Sequence, residues 1–147
     1  MSALRFSNDD VEAITELVAL HLRFHTYRLG WSDSAVRRYV RDAGDLLNAL
    51  NVLTRCDCTT RNEKKARTLS KRMDELEERI AELAAEEELA ALRPELDGKR
   101  VMEHLGLTPG PEIGKALAFL MEIRLEEGLI GEEVLLKRLD EWYALQQ

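Results

Sequence analysis

Apolar residues recur every three or four positions along almost the whole chain. No stretch alternates apolar and polar residues with the two-residue period of a half-buried strand. This pattern predicts an all-α fold, a helical bundle with one long connecting helix and a small helical tail. The chain has 147 residues, of which 45% are hydrophobic, so it is long enough to bury a helical core.

Cap residues, glycines and prolines divide the pattern into helices. A first helix is expected to begin after Ser7, to continue to His25 and to end at Leu29 and Gly30. Further helices are expected over residues 35–41, from 45 to 53, from 62 to 89, and over 99–105, 111–127 and 132–146. We therefore predict a helical region at 1–61, a long connecting helix at 62–92 and a helical tail at 93–147.

The longest predicted helix carries a heptad seam. Its apolar residues are spaced four, three, four and three positions apart, at Leu69, Met73, Leu76, Ile80 and Leu83. The seam lasts about two heptads before a run of three glutamates at 86–88 interrupts it. A seam of this length fits both an internal hairpin and a dimer, and both interpretations stay open.

Charge is divided along the chain. Residues 21–72 contain 12 basic and 5 acidic residues, whereas residues 73–147 contain 8 basic and 19 acidic residues, within a net charge of −7. A phosphate backbone is attracted to the middle segment and repelled by most of the rest. The division favours an oriented contact with nucleic acid through one face.

Two basic groups are candidates for that contact. They comprise three arginines at helical spacing and three cations at the start of the long helix: Arg37, Arg38, Arg41, Arg61, Lys64 and Lys65. One interpretation is a solvated face with salt bridges to neighbouring carboxylates. The other is a phosphate track, in which each arginine grips a phosphate with two donors.

A third candidate is the turn before the helix predicted at 111–127. Pro111 suits the first helical position, where its missing N–H is not needed. Gly110, Gly114 and Lys115 would then surround exposed backbone amides able to receive a phosphate. Alternatively, Glu112 satisfies the positive end of the helix dipole.

Histidines and cysteines give weaker signals. His21 and His25 lie four residues apart on one helical face, and Asp57 is the natural third ligand for a metal. Histidines in such a pattern more often pack, cap a helix or face solvent, so we expect no bound metal. Cys56 and Cys58 are too close for an ordinary disulfide and lack the spacing of redox or zinc pairs. We expect them to be reduced packing residues.

Three motifs carry a resemblance to a known family. Thr54-Arg-Cys-Asp-Cys-Thr-Thr-Arg-Asn62, Arg93-Pro-Glu-Leu-Asp-Gly98 and Pro109-Gly-Pro-Glu-Ile-Gly114 resemble the C-terminal part of the CCA-adding tRNA nucleotidyltransferases of the poly(A) polymerase/CCA-adding family. The resemblance is closest to the actinobacterial type with an HD domain, and it covers about residues 4–142. It implies that residues 1–61 resemble the end of an HD domain and that Asp57 corresponds to a metal ligand there.

The resemblance also implies a function. The chain would be a body-and-tail module that binds tRNA in 3′-end processing, while Mg²⁺ and nucleotides would belong to an absent N-terminal catalytic part. No catalytic triad, P-loop or nucleophile elbow offers another activity, so we expect no catalysis and no cofactor in this chain alone.

An alternative function is protein interaction. In this interpretation the chain is a helical module that docks on a separate catalytic subunit or forms a dimer through its long helix. If the absent part normally covers Leu17, Leu20 and Phe24, these residues would form an exposed apolar patch that favours self-association. No membrane span or secretory signal is evident, so a cytoplasmic location is expected in either case.

Overall fold

The computed structural model describes residues 6–26, 30–57 and 60–146. These residues form helices without any strand, which confirms the all-α prediction. The helices are α1 (Asn8–His21), α2 (Asp33–Ala43), α3 (Leu47–Cys56), α4 (Glu63–Glu86), α5 (Gly98–Leu105), α6 (Pro111–Glu127) and α7 (Glu132–Ala144).

The chain forms two compact units. Unit 1 is Met1–Ala90 and contains α1 to α4, and unit 2 is Ala91–Gln147 and contains α5 to α7. Within unit 1, α4 contacts α2 and α3. The three-part division at residues 61 and 92 stays a prediction. Among the described helices, none combines the length and apolar character that crossing a membrane requires.

Side-chain caps begin four of these helices. Ser7 forms a capping box with Asp10, and Ser32 accepts a hydrogen bond from the backbone of the third residue of α2. Asn62 and Asp97 do the same for α4 and α5, at 3.1 and 2.8 Å. Each such cap contributes about 1 kcal/mol by satisfying an amide that the helix leaves unpaired.

The first helix is shorter than predicted. α1 ends at His21 and the chain tightens into a 3-10 turn over Leu22–Thr26, so the expectation of one helix through His25 is wrong. Thr26 donates its hydroxyl to the carbonyl of Arg23 at 2.7 Å inside this turn. Such 3-10 turns are common where a helix ends. The predicted end at Leu29 lies outside the described residues.

The heptad seam of α4 is packed inside unit 1. Met73, Leu76 and Leu83 are at most 1% exposed, while Leu69 and Ile80 are half-buried. Phe24 is fully buried and its ring lies 5.7 Å from that of Trp31. Phe24 is therefore not part of the exposed patch that was expected there.

Tyr39 links α2 to α3 and gives the fold a measurable pH dependence. Its hydroxyl donates to Oδ1 of Asn51 at 2.9 Å, and burial raises the pKa of Tyr39 from 10.0 to about 12. The neutral phenol is thus favoured in the folded state, so its contribution is complete below pH 10 and is lost as the pH rises toward 12.

We expect Tyr39→Phe to remove this pH dependence. The unfolding free energy of the unsubstituted protein should fall by about 1.4 kcal/mol more than that of the variant between pH 9 and pH 11. Urea denaturation followed by circular dichroism at the two pH values measures both. Equal losses in the two proteins would show that the phenol titrates normally.

The core of unit 2 joins all three of its helices. Its buried members are Leu96, Val101, Ile113, Ala116, Leu120, Ile123, Leu135 and Leu139. Leu129 and Val134 occupy positions where helical periodicity predicts core residues, but they are 57% and 45% exposed. Leu129 lies in the link between α6 and α7, and Val134 lies in the outer face of the first turn of α7, so helical periodicity misassigned both.

The motif at residues 93–98 contributes hydrogen bonds, a core side chain and a helix cap to unit 2. The Glu95 carboxylate accepts hydrogen bonds from the backbone N–H groups of Ile130 and Gly131, at 2.9 and 3.1 Å, and so ties the link before α7 to the start of the unit. Leu96 enters the core and Asp97 caps α5. Most of the motif is therefore accounted for by the fold.

Candidate nucleic-acid interface

The arginines of α2 are engaged within the fold. Arg37 is only 5% exposed, and its guanidinium donates to both oxygens of Glu87, with Nη2 2.7 Å from Oε1. Arg38 is half-buried and also has an interaction. Arg41 contacts Asp42 at 2.9 Å and Arg23 contacts the same carboxylate.

Asp42 is the centre of this exposed network. Burial of the carboxyl opposes ionisation, but hydrogen bonds from Arg23 and Arg41 outweigh it, so the pKa of Asp42 is lowered. The arrangement matches the interpretation of a charged face laced by salt bridges. Arg37, whose partner lies 50 residues away, instead holds the end of α4 against α2.

The start of α4 is different. Arg61, Lys64 and Lys65 are all exposed, and no carboxylate of the described residues lies within ion-pair distance of them. Lys64 and Lys65 lie in the first turn of α4, and Arg61 immediately precedes its cap residue Asn62. The positive end of the α4 dipole lies at the same place. We call these three residues the α4 basic cluster.

Neighbouring cations on α4 show the contrast. Arg67 lies 3.5 Å from Glu63 and Lys71 lies 3.8 Å from Glu75, both at i,i+4 spacing. Such exposed pairs are worth little, but each partly neutralises its cation. The positive charge that is left open in α4 is therefore concentrated in its first turn.

The turn before α6 is built as the sequence predicted. Gly110 precedes the helix with extended backbone, Pro111 takes the first position, and Glu112 lies in the first turn. Gly114 is exposed with nothing within 4 Å of a methyl group added there, and Lys115 is exposed. The three candidates Gly110, Gly114 and Lys115 thus lie on one open helix start.

Two of the weak metal candidates lie close together. His21 donates from Nδ1 to the carbonyl of Val18 at 2.6 Å, and its Nε2 lies 3.6 Å from Oδ2 of Asp57. His25 instead packs edge to face with Phe24, with ring centroids 5.5 Å apart. In the described part of the chain, no group of three or more His, Cys, Asp or Glu residues is able to hold a metal ion.

The predicted packing of the cysteines is wrong for the residue that the structure describes. Cys56 is a free, exposed thiol in the last turn of α3, so it does not pack in the core. Cys58 lies outside the described residues. Cys56 is the last residue of α3 and is exposed there. Periodicity alone does not locate the end of a helix.

Unit 2 contains an aromatic pocket that the sequence does not predict, because helical periodicity places both of its rings in the core. Phe119 and Trp142 are half-buried and stack with centroids 5.2 Å apart and an interplanar angle of 15°. They line a pocket of about 300 Å³ together with Ile123, Arg138, Glu141 and Leu145. The sequence indicates this pocket only weakly, by the position of Arg138 four residues before Trp142 on one helix.

Comparison with known proteins finds two tRNA-acting relatives. An A-adding tRNA nucleotidyltransferase of Deinococcus radiodurans is 33% identical over 124 residues, which are 84% of this chain and 28% of that protein. A CC-adding tRNA nucleotidyltransferase of Thermus thermophilus is 35% identical over 131 residues, 87% of this chain and 27% of that protein. No protein-family model matches the chain, and no solved structure matches it significantly.

The resemblance noted in the three motifs is thereby confirmed. The chain spans just over a quarter of the length of the curated relatives it matches, at 27–28%. One relative is named for adding A and the other for adding CC, so the similarity does not distinguish the two. Over most of its own length, the chain is similar to a part of the tRNA nucleotidyltransferases.

Proposed function

We propose that this chain is a tRNA-binding part of a tRNA nucleotidyltransferase and does not transfer nucleotides on its own. The observation that carries the proposal is the α4 basic cluster. It consists of three exposed cations without a carboxylate partner among the described residues, in a chain similar to enzymes named for acting on tRNA. In this proposal Mg²⁺ and nucleotides bind to another part of such an enzyme.

The chemistry of the cluster favours backbone contacts. Lysine ammonium and arginine guanidinium groups are strong donors to phosphate oxygens. Helical RNA is recognised mostly through shape, phosphates and 2′-hydroxyls, because side chains cannot read its deep major groove. The cluster would therefore grip tRNA without reading its sequence.

The proposal selects among the predicted contacts. Arg37 is buried against Glu87 and Arg41 is paired with Asp42, so both serve the fold first. The start of α6, with Gly110, Gly114 and Lys115, is a second contact in the proposal because its cation and helix end are exposed. A methyl group added at Gly114 would meet nothing within 4 Å, so an RNA strand would be able to approach the helix closely at this position.

Binding of tRNA over a salt series tests the proposal. Fluorescence anisotropy compares tRNA with duplex DNA of similar length. Three phosphate contacts predict that affinity for tRNA falls roughly 20- to 40-fold between about 50 and 200 mM salt, because each contact releases counterions. Absence of binding at low salt, or equal binding of duplex DNA, would overturn the proposal.

Gly114→Ala separates stability from binding. Because the added methyl group meets open space in a helix interior, we expect it to stabilise unit 2 by about 0.5–1 kcal/mol. If RNA lies against this position, the same change lowers tRNA affinity several-fold. Thermal unfolding and anisotropy measure the two effects.

Ala118→Gly is the matched control, since Ala118 is exposed one turn further along α6. It should lose a similar amount of stability and leave tRNA affinity unchanged. A stabilised Gly114→Ala variant with unaltered affinity would remove Gly114 from the interface.

A second candidate function is protein interaction, and exposed apolar residues of unit 1 favour it. Val18, Leu22 and Val52 are 51%, 58% and 63% exposed, and α1 contains no fully buried residue. Light scattering over a concentration range tests self-association. A mass that stays monomeric would leave docking on another protein as the only form of this alternative.

A further inference from the structure

We propose that the pocket beside Phe119 and Trp142 takes an unpaired nucleobase of the tRNA by stacking. The inference rests on the proposed function, because it assumes that tRNA is the partner. It goes further by assigning unit 2 a contact of a different chemical kind from the phosphate grip of the α4 basic cluster.

The geometry of the pocket suits a flat ring. Phe119 comes from α6 and Trp142 from α7, and their rings are nearly parallel at 15°. Ile123 and the 84% exposed Leu145 supply aliphatic walls. Ligand pockets of a few hundred Å³ are typically apolar with a few polar groups that fix orientation. At 5.2 Å between centroids the two rings already stack on each other, so a planar base would not enter between them but would lie in the pocket against the aromatic pair and its aliphatic neighbours.

Two polar side chains stand at the same pocket. Arg138 donates from Nη2 to Oε2 of Glu127 at 3.0 Å, so the guanidinium is held in place before any ligand arrives. Glu141 is the second polar group of the lining. Guanidinium donors and carboxylate acceptors match the acceptors and donors on the edge of a base.

The charge of unit 2 favours a base over a phosphate. Residues 91–147 contain 7 basic and 11 acidic residues, so away from the start of α6 the unit on average repels the RNA backbone. An unpaired base is neutral and is not repelled. Specific recognition of RNA generally uses such bases, splayed out of loops and stacked on aromatic side chains. Because every base has a flat face, the stacking itself tolerates any sequence, and any preference among bases would come from Arg138 and Glu141.

Tryptophan fluorescence tests the contact directly. Trp31→Phe leaves Trp142 as the remaining tryptophan, and we expect tRNA to quench its emission. The reverse variant, Trp142→Phe, leaves Trp31 in unit 1 and should show little quenching. The paired variants separate stacking from absorption of light by the RNA.

Affinity measurements supply a second readout. We expect Trp142→Leu to weaken tRNA binding about 5- to 150-fold, the equivalent of ~1–3 kcal/mol per stacked base, with an unchanged salt dependence. Trp142→Phe keeps an aromatic ring and should retain most of the affinity. Circular dichroism verifies that each variant is folded, and the quenching of Trp142 in the Trp31→Phe variant keeps the test decisive if the Leu variant unfolds.

The outcomes are distinct. Quenching of Trp142 together with a salt-independent loss of affinity supports the inference. If tRNA binds but neither the emission of Trp142 nor the affinity of its variants changes, the inference is wrong while the proposed function stands, and the pocket is left to an apolar protein segment. If no tRNA binds at all, both fail together.

Discussion

Charge reversal in the α4 basic cluster, by Lys64→Glu with Lys65→Glu, should weaken tRNA binding at least about 30-fold at low salt, since two contacts are lost and two repulsive charges are added. Both lysines are exposed, and neither is neutralised by a carboxylate among the described residues. An exposed contact between unit charges at 4 Å is worth about 1 kcal/mol in water, and every 1.4 kcal/mol is tenfold. Anisotropy titrations over a salt series measure the loss of affinity. The slope of log affinity against log salt concentration should become shallower by about the amount that two phosphate contacts contribute.

The matched control reverses two lysines of unit 2. Lys99→Glu with Lys137→Glu changes the net charge by the same amount, and Lys99 already lies 4.0 Å from Glu103. We expect it to cost less than a factor of two or three in affinity. Equal losses in both double variants would mean that tRNA responds only to overall charge, and the assignment to α4 would be wrong.

Removal of one partner of the buried ion pair should have the largest effect on stability. Arg37 and Glu87 have side chains only 6% and 9% exposed. Glu87→Ala leaves the guanidinium buried without its main acceptor, so we expect the unfolding free energy to fall by about 3–5 kcal/mol. Chemical denaturation measures the change.

Two further variants give this prediction its controls. Glu63→Ala breaks the exposed pair with Arg67, whose side chains are more than 80% exposed, and should change stability by less than about 1 kcal/mol. Replacement of both Arg37 and Glu87 by methionine removes both charges together and should recover most of the loss. If that stable double variant binds tRNA poorly, Arg37 is a direct RNA contact after all.

Local signals account for the part of the fold that the sequence predicted correctly. Ser7, Asn62 and Pro111 mark helix starts through hydrogen bonds and backbone angles that involve only neighbouring residues. The heptad seam of α4 was likewise evident because its period is a property of a single helix. The end of α1 was misplaced since a 3-10 turn keeps nearly the same spacing of apolar residues as an α-helix.

Long-range pairing explains what the sequence did not show about the candidate site. The sequence does not show which basic residue has an acidic partner. Arg37 pairs with Glu87, which lies 50 residues away, whereas Lys64 is exposed and has no carboxylate partner among the described residues. Arg55 likewise forms ion pairs with Asp74 and Glu77 on α4, at 2.8 and 2.7 Å. Charge division along the chain predicts where cations are concentrated, whereas tertiary pairing decides which of them face a ligand.

Cross-linking of bound tRNA, followed by mass spectrometry of the peptides, tests the central claim most directly. The account predicts cross-links in unit 1 on the peptide that contains Arg61, Lys64 and Lys65, and their loss as the salt concentration rises. Cross-links that avoid this peptide and persist at high salt would contradict it.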